Sequence, residues 1–366
     1  MLHTASALAN GKVLIAGGRS NMGWALHSTD LYDPLAGNWT FIGKMNIPQY
    51  LHAALVLKDG KVLITGGVTD NNRTNSSSGF VTLSSSELYD PSTEKWITTS
   101  NMNDARQSHT ASVLLDGKVL VTGGQNHPWG DVLKTCELYD PSTGVWTQIS
   151  NLNHERIFHT ASVLQDGKVL VTGGSISDSQ VLNSSEVYDP STGVWKMTGS
   201  MHYARDLHLA TVLKNGKVLV TGGRILNSSE LYDPLTEKWM ITPSMNDLRY
   251  LHTASLLSDG KVLVTGGSVT EVFATKSTEL YDPSTNKWQS AGEMQSTRVG
   301  HTASVLASGN VLIVTGGYSR FIEDQSNTAE LYNSTTKTAV CRFSQKEISE
   351  ISKFTTAVYN SDINTE

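Results

Sequence analysis

Histidine is the residue type whose spacing first suggests chemistry in this sequence. Seven of the eleven histidines stand at one equivalent position, at the start of segments such as HTAS: His3, His52, His109, His159, His208, His252 and His301. Because histidine binds metals and titrates near neutral pH, such a set could form a metal centre or a pH sensor. Alternation along a strand also places each histidine on the face of the apolar residues that follow it. We favour buried histidines hydrogen-bonded to a neighbouring strand, since a metal needs about four converging ligands.

Arginine and acidic residues recur in register with these histidines. Arg106, Arg156, Arg205, Arg249 and Arg298 each precede a histidine by three positions, and Asp30, Glu87, Glu137, Glu186, Glu230, Glu279 and Glu330 recur farther along. One interpretation is a charged rim for an anionic partner. The other is an arginine–carboxylate bridge within each repeat, which the fork of the guanidinium suits. Repetition favours the bridge, because few partners present sevenfold symmetry. Gln49 replaces arginine in the first of these segments, so the bridge cannot be universal.

Motifs of known enzyme chemistry are missing from the sequence. It has no Ser nucleophile elbow, no Gly-rich phosphate loop and no cysteine–histidine cluster with metal spacing. The two cysteines, Cys136 and Cys341, are too few for a disulfide framework. The sequence therefore predicts no catalytic residue, no metal site and no cofactor.

The elements that must position these residues are seven copies of one unit. Gly-Gly pairs begin at Gly17, Gly66, Gly123, Gly173, Gly222, Gly266 and Gly316, in units of 44 to 57 residues. Within a unit, HTASVL and KVLVT flank Asp-Gly or a similar pair, which predicts a hairpin with both turn residues at positive φ. SELYD, an Asp-Pro turn and a Trp-led segment add two more strands. The spacing predicts an all-β, seven-bladed β-propeller of four-stranded antiparallel blades.

The unit resembles the kelch repeat, in which Gly-Gly closes the second strand and a tyrosine and a tryptophan follow at fixed spacing. The matching pairs are Tyr32/Trp39, Tyr89/Trp96, Tyr139/Trp146, Tyr188/Trp195, Tyr232/Trp239 and Tyr281/Trp288. The resemblance implies that the HTAS strand is innermost and the Trp strand outermost. The seventh repeat departs from the pattern, with Ala339 in the tryptophan position, which puts its outer edge in doubt.

We place the propeller at 1–343, with repeats starting near residues 2, 51, 108, 158, 207, 251 and 300. A C-terminal tail, 344–366, carries a capping-box pattern that predicts a short helix, and FTTAVY at 354–359 could be a closing strand. The chain begins within a repeat, without an arginine before His3. This suggests a fragment of a longer secreted or cytoplasmic protein, and the sequence assigns no compartment.

Galactose oxidase-like copper enzymes also contain a kelch propeller, so this resemblance suggests an enzyme alternative. That family uses a tyrosine cross-linked to cysteine, a second tyrosine and two histidines, one of them from a separate domain. Neither Cys136 nor Cys341 stands in such a set, so none of these roles can be carried over to positions of this sequence. A fragment of a copper enzyme therefore remains only as an alternative.

Residues that differ between repeats are the candidates for function. They lie between Gly-Gly and the next tyrosine, in loops predicted to share one face with the inter-blade linkers. The candidate binding residues are Trp24, His27, Phe80, His127, Trp129, Arg224, Phe273, Tyr318, Arg320 and Phe321. The linkers add Tyr50, His154, Phe158, His202, Tyr203 and Tyr250. Because aromatic residues and arginine dominate interface energetics, we expect a non-catalytic protein-interaction scaffold, with a glycan as the alternative ligand.

Composition excludes other partner classes. The net charge is -6 with 17% charged residues and no Lys/Arg run, which argues against nucleic acid. No apolar stretch reaches about 18 residues and no signal-peptide pattern begins the chain, so we expect no membrane insertion. We expect a monomer.

Overall fold

The computed structural model describes residues 2–20, 23–70, 79–177, 179–270, 273–316 and 328–341. Within these ranges all regular secondary structure is β, in 32 strands. They form seven four-stranded antiparallel sheets and two small hairpins. The predicted seven-bladed propeller is therefore confirmed.

The first four blades follow one another along the chain. Blade one contains β1 (Thr4–Ala7), β2 (Val13–Ala16), β3 (Ser28–Asp33) and β4 (Asn38–Lys44). Blade two contains β5 (Ala53–Val56), β6 (Val62–Thr65), β9 (Ser86–Asp90) and β10 (Lys95–Thr98), with the hairpin β7 (Val68–Asp70) and β8 (Phe80–Thr82) in its loop. Blade three contains β11 (Thr110–Val113), β12 (Val119–Thr122), β13 (Cys136–Asp140) and β14 (Val145–Gln148). Blade four contains β15 (Thr160–Val163), β16 (Val169–Thr172), β19 (Ser185–Asp189) and β20 (Val194–Thr198), with the hairpin β17 (Ser175–Ser177) and β18 (Gln180–Val181).

The last three blades repeat the same order. Blade five contains β21 (Leu209–Val212), β22 (Val218–Thr221), β23 (Ser229–Asp233) and β24 (Lys238–Thr242). Blade six contains β25 (Thr253–Leu256), β26 (Val262–Thr265), β27 (Ser277–Asp282) and β28 (Lys287–Glu293). Blade seven contains β29 (Thr302–Val305), β30 (Val311–Val314), β31 (Ala329–Asn333) and β32 (Thr338–Cys341).

The hairpin between the first two strands differs in one detail from the sequence prediction. In blade three only Gly117 has positive φ, +92°, whereas Asp116 does not. The amide of Gly117 donates to the carbonyl of Leu114, and the amide of Leu114 donates to that of Lys118. The prediction of two positive-φ residues was wrong, because the loop has three residues and needs only its glycine in the left-handed region.

The hydrophobic core lies between blades. Val119 and Val121 of β12 pack against blade two, while Leu120, on the other face of the strand, packs against blade four. All three side chains are buried, which explains why KVLVT is apolar on both faces. Each blade is therefore stabilised by its two neighbours.

Gly-Gly ends the second strand where two other segments approach. A Cβ atom on Gly123 would lie 2.5 Å from the carbonyl oxygen of Arg156, and one on Gly124 would lie 2.7 Å from that of Gln107. Both glycines also have positive φ. The repeat needs glycine here because the linkers on both sides pass against this backbone.

The tyrosine and tryptophan of each repeat form a cross-strand pair. Tyr139 lies opposite Trp146 with ring centroids 5.0 Å apart, and the indole N–H donates to the carbonyl of Ser100 in the preceding linker. In blade seven, Tyr332 pairs with Ala339 in the same register. The outer strand of this blade therefore forms without the tryptophan.

The seven innermost strands form a closed ring in which β1 lies beside both β5 and β29. At this closure His3 Nε2 lies 2.9 Å from Thr302 Oγ1. Apart from the loop hairpins of blades two and four, the strands of each blade follow one another along the chain, and blade one is built entirely from the first 44 residues. The predicted helix and closing strand of the tail, 344–366, lie outside the described residues.

The described ranges contain no helix that is long and apolar enough to span a membrane.

Candidate functional site

The loops after the second strands share one face with the inter-blade linkers, as predicted. In blade three the amide of Leu133 donates to the carbonyl of Gly124, and the amide of Arg156 donates to that of Leu133. The carbonyl of Arg156 accepts in turn from the amide of Gly124. These bonds join a variable loop to the linker that leads into the next blade. We call this side of the propeller the loop face.

Buried arginines hold the linkers in place. Arg156 and Glu186 have fully buried side chains, with Nη2 2.7 Å from Oε1. The same arginine donates to the carbonyl of Gly173 at 2.7 Å. Equivalent pairs, with N···O distances of 2.7 to 3.0 Å, are Arg106–Glu137, Arg205–Glu230, Arg249–Glu279 and Arg298–Glu330. The predicted bridge within each of these five blades is therefore present, and these arginines are not an exposed rim.

Hydrogen bonds and the arginine charge keep the buried carboxylate of Glu186 ionised. Burial alone would raise the pKa of Glu186, but the backbone amide of Asn153, the charge of Arg156 and the amide side chain of Asn153 outweigh burial and lower this pKa below its ordinary value. Asp30 of blade one has no such arginine, and burial raises its pKa to about 6. Glu186 and Asp30, at the same position of their repeats, therefore have pKa values shifted in opposite directions.

Six of the seven repeated histidines hydrogen-bond to a threonine of the preceding blade, whereas His109 has no such partner among the described residues. His159 Nε2 lies 2.9 Å from Thr110 Oγ1, and His301 Nε2 lies 3.0 Å from Thr253 Oγ1, in each case on the preceding blade. Burial lowers the pKa of both histidines to about 3, so their imidazoles are neutral at physiological pH. The histidines therefore take the predicted structural position between blades.

Three predicted aromatic residues project from the loop face into solvent. Trp129 is 87% exposed, Phe273 66% and Trp24 45%. They belong to blades three, six and one, so the exposed rings are spread around the face.

The remaining predicted loop residues are more constrained. His27, Phe80 and His127 are half-buried. The guanidinium of Arg19 lies 5.7 Å from the ring centroid of Phe80 and 5.3 Å from that of Tyr50. Phe80 is thus part of a cation–π cluster on the loop face.

Arg224 is fixed by an acidic neighbour. Its Nη2 lies 2.9 Å from Oδ2 of Asp206, and its backbone amide donates to the carbonyl of the same residue. Burial raises the pKa of Asp206, although the charge of Arg224 opposes that shift. Because 36% of the arginine side chain is exposed, it presents a positioned positive charge on the loop face.

The loop of blade seven is largely outside the described residues. Of the predicted binding residues, Tyr318, Arg320 and Phe321 lie there, so the structure assigns them no position.

Comparison with known proteins decides the family. Residues 2–223 match the model of the KLHDC2/KLHL20/DRC7 Kelch-repeats domain, and residues 249–295 match the Kelch motif. The chain belongs to the kelch-repeat family. No curated protein matches it in sequence. Among solved structures, the propeller is similar to a fungal alcohol oxidase of the AA5 family in complex with copper. The TM-score is 0.71 at 18% identity, over 90% of this chain and 72% of the other, which shows a shared fold.

The kelch propeller does not assemble a metal-ligand set in the described ranges. No three His, Cys, Asp or Glu side chains come together there. Cys136 is buried in the core between blades three and four, and burial raises the pKa of its thiol to about 12. The described residues therefore do not fit the copper site of the oxidase-like alternative.

Ile225 is a loop-face residue that the sequence prediction missed. It is 75% exposed and has a φ of +61°, beside Arg224 in the shortest of the variable loops. In the sequence it stands between Arg224 and Leu226, where only its position in a variable loop indicated exposure. Tyr203, which the linker comparison did single out, is 45% exposed on the same face.

Proposed function

We propose that this kelch propeller is a non-catalytic scaffold that binds a protein partner on its loop face. The observation that carries the proposal is the set of exposed aromatic side chains on that face, of which Trp129 is the most exposed. Trp24 and Phe273 extend the apolar surface across other blades. Tryptophan anchors of this kind contribute a large share of binding energy when a partner covers them.

The polar groups between the aromatics also suit a protein surface. Arg224 is held by Asp206, so little side-chain entropy would be lost when it pairs with an acidic group. The exposed imidazoles of His154 and His202 add donors and acceptors along the linkers. An apolar centre with a polar surround is the usual anatomy of a protein interface.

The test combines Trp24→Ala, Trp129→Ala and Phe273→Ala in one variant. Affinity for a partner isolated with the native chain, and then purified, is measured by calorimetry. We expect at least a 100-fold loss, because each lost aromatic anchor typically costs about 1 to 2 kcal/mol or more.

The matched control is the double variant Leu35→Ala and Leu235→Ala. These leucines are 98% and 95% exposed, but they lie in the turns between the third and fourth strands. The control should bind like the native chain. If both variants bind as tightly as the native chain, the loop face is the wrong surface.

A copper enzyme is the second candidate, because the similar solved structure is a copper-bound oxidase. Purification with added copper, followed by metal analysis, separates the two functions. The scaffold proposal expects clearly less than one tightly bound copper per chain, whereas stoichiometric copper with alcohol oxidation would favour the enzyme. A glycan ligand would instead appear as saturable binding on a glycan array that the triple variant loses.

A further inference from the structure

Each buried arginine sits in a cage of oxygen atoms. Nη1 of Arg106 lies 2.7 Å from the carbonyl oxygen of Gly123 and 3.1 Å from that of Thr135. Its Nη2 lies 2.8 Å from Oε1 of Glu137. The guanidiniums of Arg156, Arg205, Arg249 and Arg298 contact the corresponding oxygens in their own blades. The cage offers one negative charge and neutral oxygens to one monovalent cation.

Blade two has the same cage backbone without the arginine. The amide of Gly66 donates to the carbonyl of Ser85 at 3.0 Å, as Gly123 does to Thr135. Glu87 accepts from the backbone amides of Asn46 and Ile47, as Glu137 does from the matching linker. Gln49 stands where the other blades have arginine. We call Gln49, Gly66, Ser85 and Glu87 the blade-two cage.

The blade-two cage lacks the positive charge that the arginine supplies in the other cages. Glutamine ends at about the position of the arginine Nε, so the rest of the guanidinium has no counterpart. Gln49 is 2% exposed, and its Oε1 has no hydrogen-bond partner among the described residues. Glu87 is 1% exposed, and no ion pair joins it to a described cationic side chain. A buried carboxylate without a counter-charge is costly, and so is a buried amide oxygen without a donor.

We propose that the blade-two cage binds a dehydrated monovalent cation, for which potassium is the test ion. The carboxylate of Glu87, the amide oxygen of Gln49 and the carbonyl oxygen of Gly66 would face it. Hard cations take oxygen ligands, and a single carboxylate balances a single charge. Calcium would require oxygen distances of about 2.3 to 2.6 Å, shorter than those around the arginine nitrogens, and would leave a net positive charge in the core.

The experiment measures thermal unfolding of the native chain in potassium chloride and in choline chloride at equal ionic strength. Choline is too large for a cage of this size. We expect the melting temperature to rise by about 2 °C or more in 150 mM potassium, saturably with concentration, because the ion binds the folded state alone.

The matched control is Gln49→Arg, which supplies the guanidinium that the other blades have. In choline chloride this variant should have a higher melting temperature than the native chain. Its melting temperature should be the same in potassium chloride and in choline chloride. Glu87→Gln should also have the same melting temperature in both salts, but it should not be stabilised as Gln49→Arg is. If the native chain melts equally in both salts, or if Gln49→Arg keeps the full potassium effect, no cation site exists and ordered water fills the cage.

Discussion

At the scale of single residues, burial separates the groups that build this propeller from those that we propose face a partner. Arg156 and Trp129 are both interface-type residues by chemistry. The first is fully buried against Glu186, whereas the second is 87% exposed. Residue type alone could not make this distinction, but repetition did, because arginine recurs in five repeats and Trp129 occurs once.

Removing one buried arginine should damage the fold. Arg156→Ala leaves Glu186 buried without its counter-charge, and we expect a loss of about 3 to 5 kcal/mol in the free energy of unfolding. Urea denaturation followed by fluorescence measures this loss. The control is Lys196→Ala, which removes an exposed pair with Glu237 and should cost less than about 1 kcal/mol. Similar costs for both variants would show that the buried pair adds nothing.

The buried histidines should make the protein sensitive to mild acid. In the folded chain the pKa of His159, His252 and His301 is about 3, and that of His52 is about 4, whereas an unfolded histidine titrates near 6.5. The unfolded state therefore binds more protons below pH 6.5, so stability is complete above that pH and falls as the pH drops toward 4. Asp30, with its raised pKa of about 6, acts in the opposite direction but is a single group.

Each such histidine steepens the loss by up to about 1.4 kcal/mol per pH unit. Unfolding free energies at pH 7, 6 and 5 measure the slope of stability against pH. His159→Gln should reduce this slope by up to about 1.4 kcal/mol per pH unit. A constant unfolding free energy between pH 7 and 5 would mean that these histidines titrate in the folded chain as they do in the unfolded chain, and would contradict the lowered pKa values.

At the scale of strands and turns, the sequence predicted the order of elements well because each has a strong local signal. Gly-Gly, Asp-Pro and the Tyr–Trp spacing mark where strands end and pair. The turn at Asp116-Gly117 was mispredicted because loop length, which the sequence leaves open, selects the turn type. The exposure of Ile225 was missed because its left-handed backbone has no marker in the sequence.

The outer strand should depend on its tryptophan. Trp146 is 6% exposed and pairs with Tyr139. We expect Trp146→Ala to cost about 3 to 5 kcal/mol, measured by chemical denaturation. Trp129→Ala is the control at an exposed tryptophan and should change stability by no more than about 0.5 kcal/mol. A near-neutral effect at Trp146 would contradict its place in the packing between blades.

At the scale of the whole molecule, the junctions between blades stabilise the ring, and the loop face is the part that we propose binds a partner. The junctions between blades repeat one set of contacts, whereas the loop face differs in every blade. The sequence predicted the ring, because its repeated residues mark the scaffold. The residues that differ between repeats are its candidates for binding, and their role stays a prediction. The sequence could not predict which loop side chains are exposed, since that depends on contacts such as Arg19 with Phe80.

The central claim is that a protein partner covers the loop face, and site-specific photocrosslinking tests it most directly. A photoreactive phenylalanine analogue replaces Trp129 in one variant and Leu35 in another, both at highly exposed positions. Each variant is irradiated with the purified partner, and the products are identified by mass spectrometry. We expect a crosslink to one defined segment of the partner from position 129 and none from position 35. Crosslinks from position 35 alone would place the partner elsewhere and contradict the account.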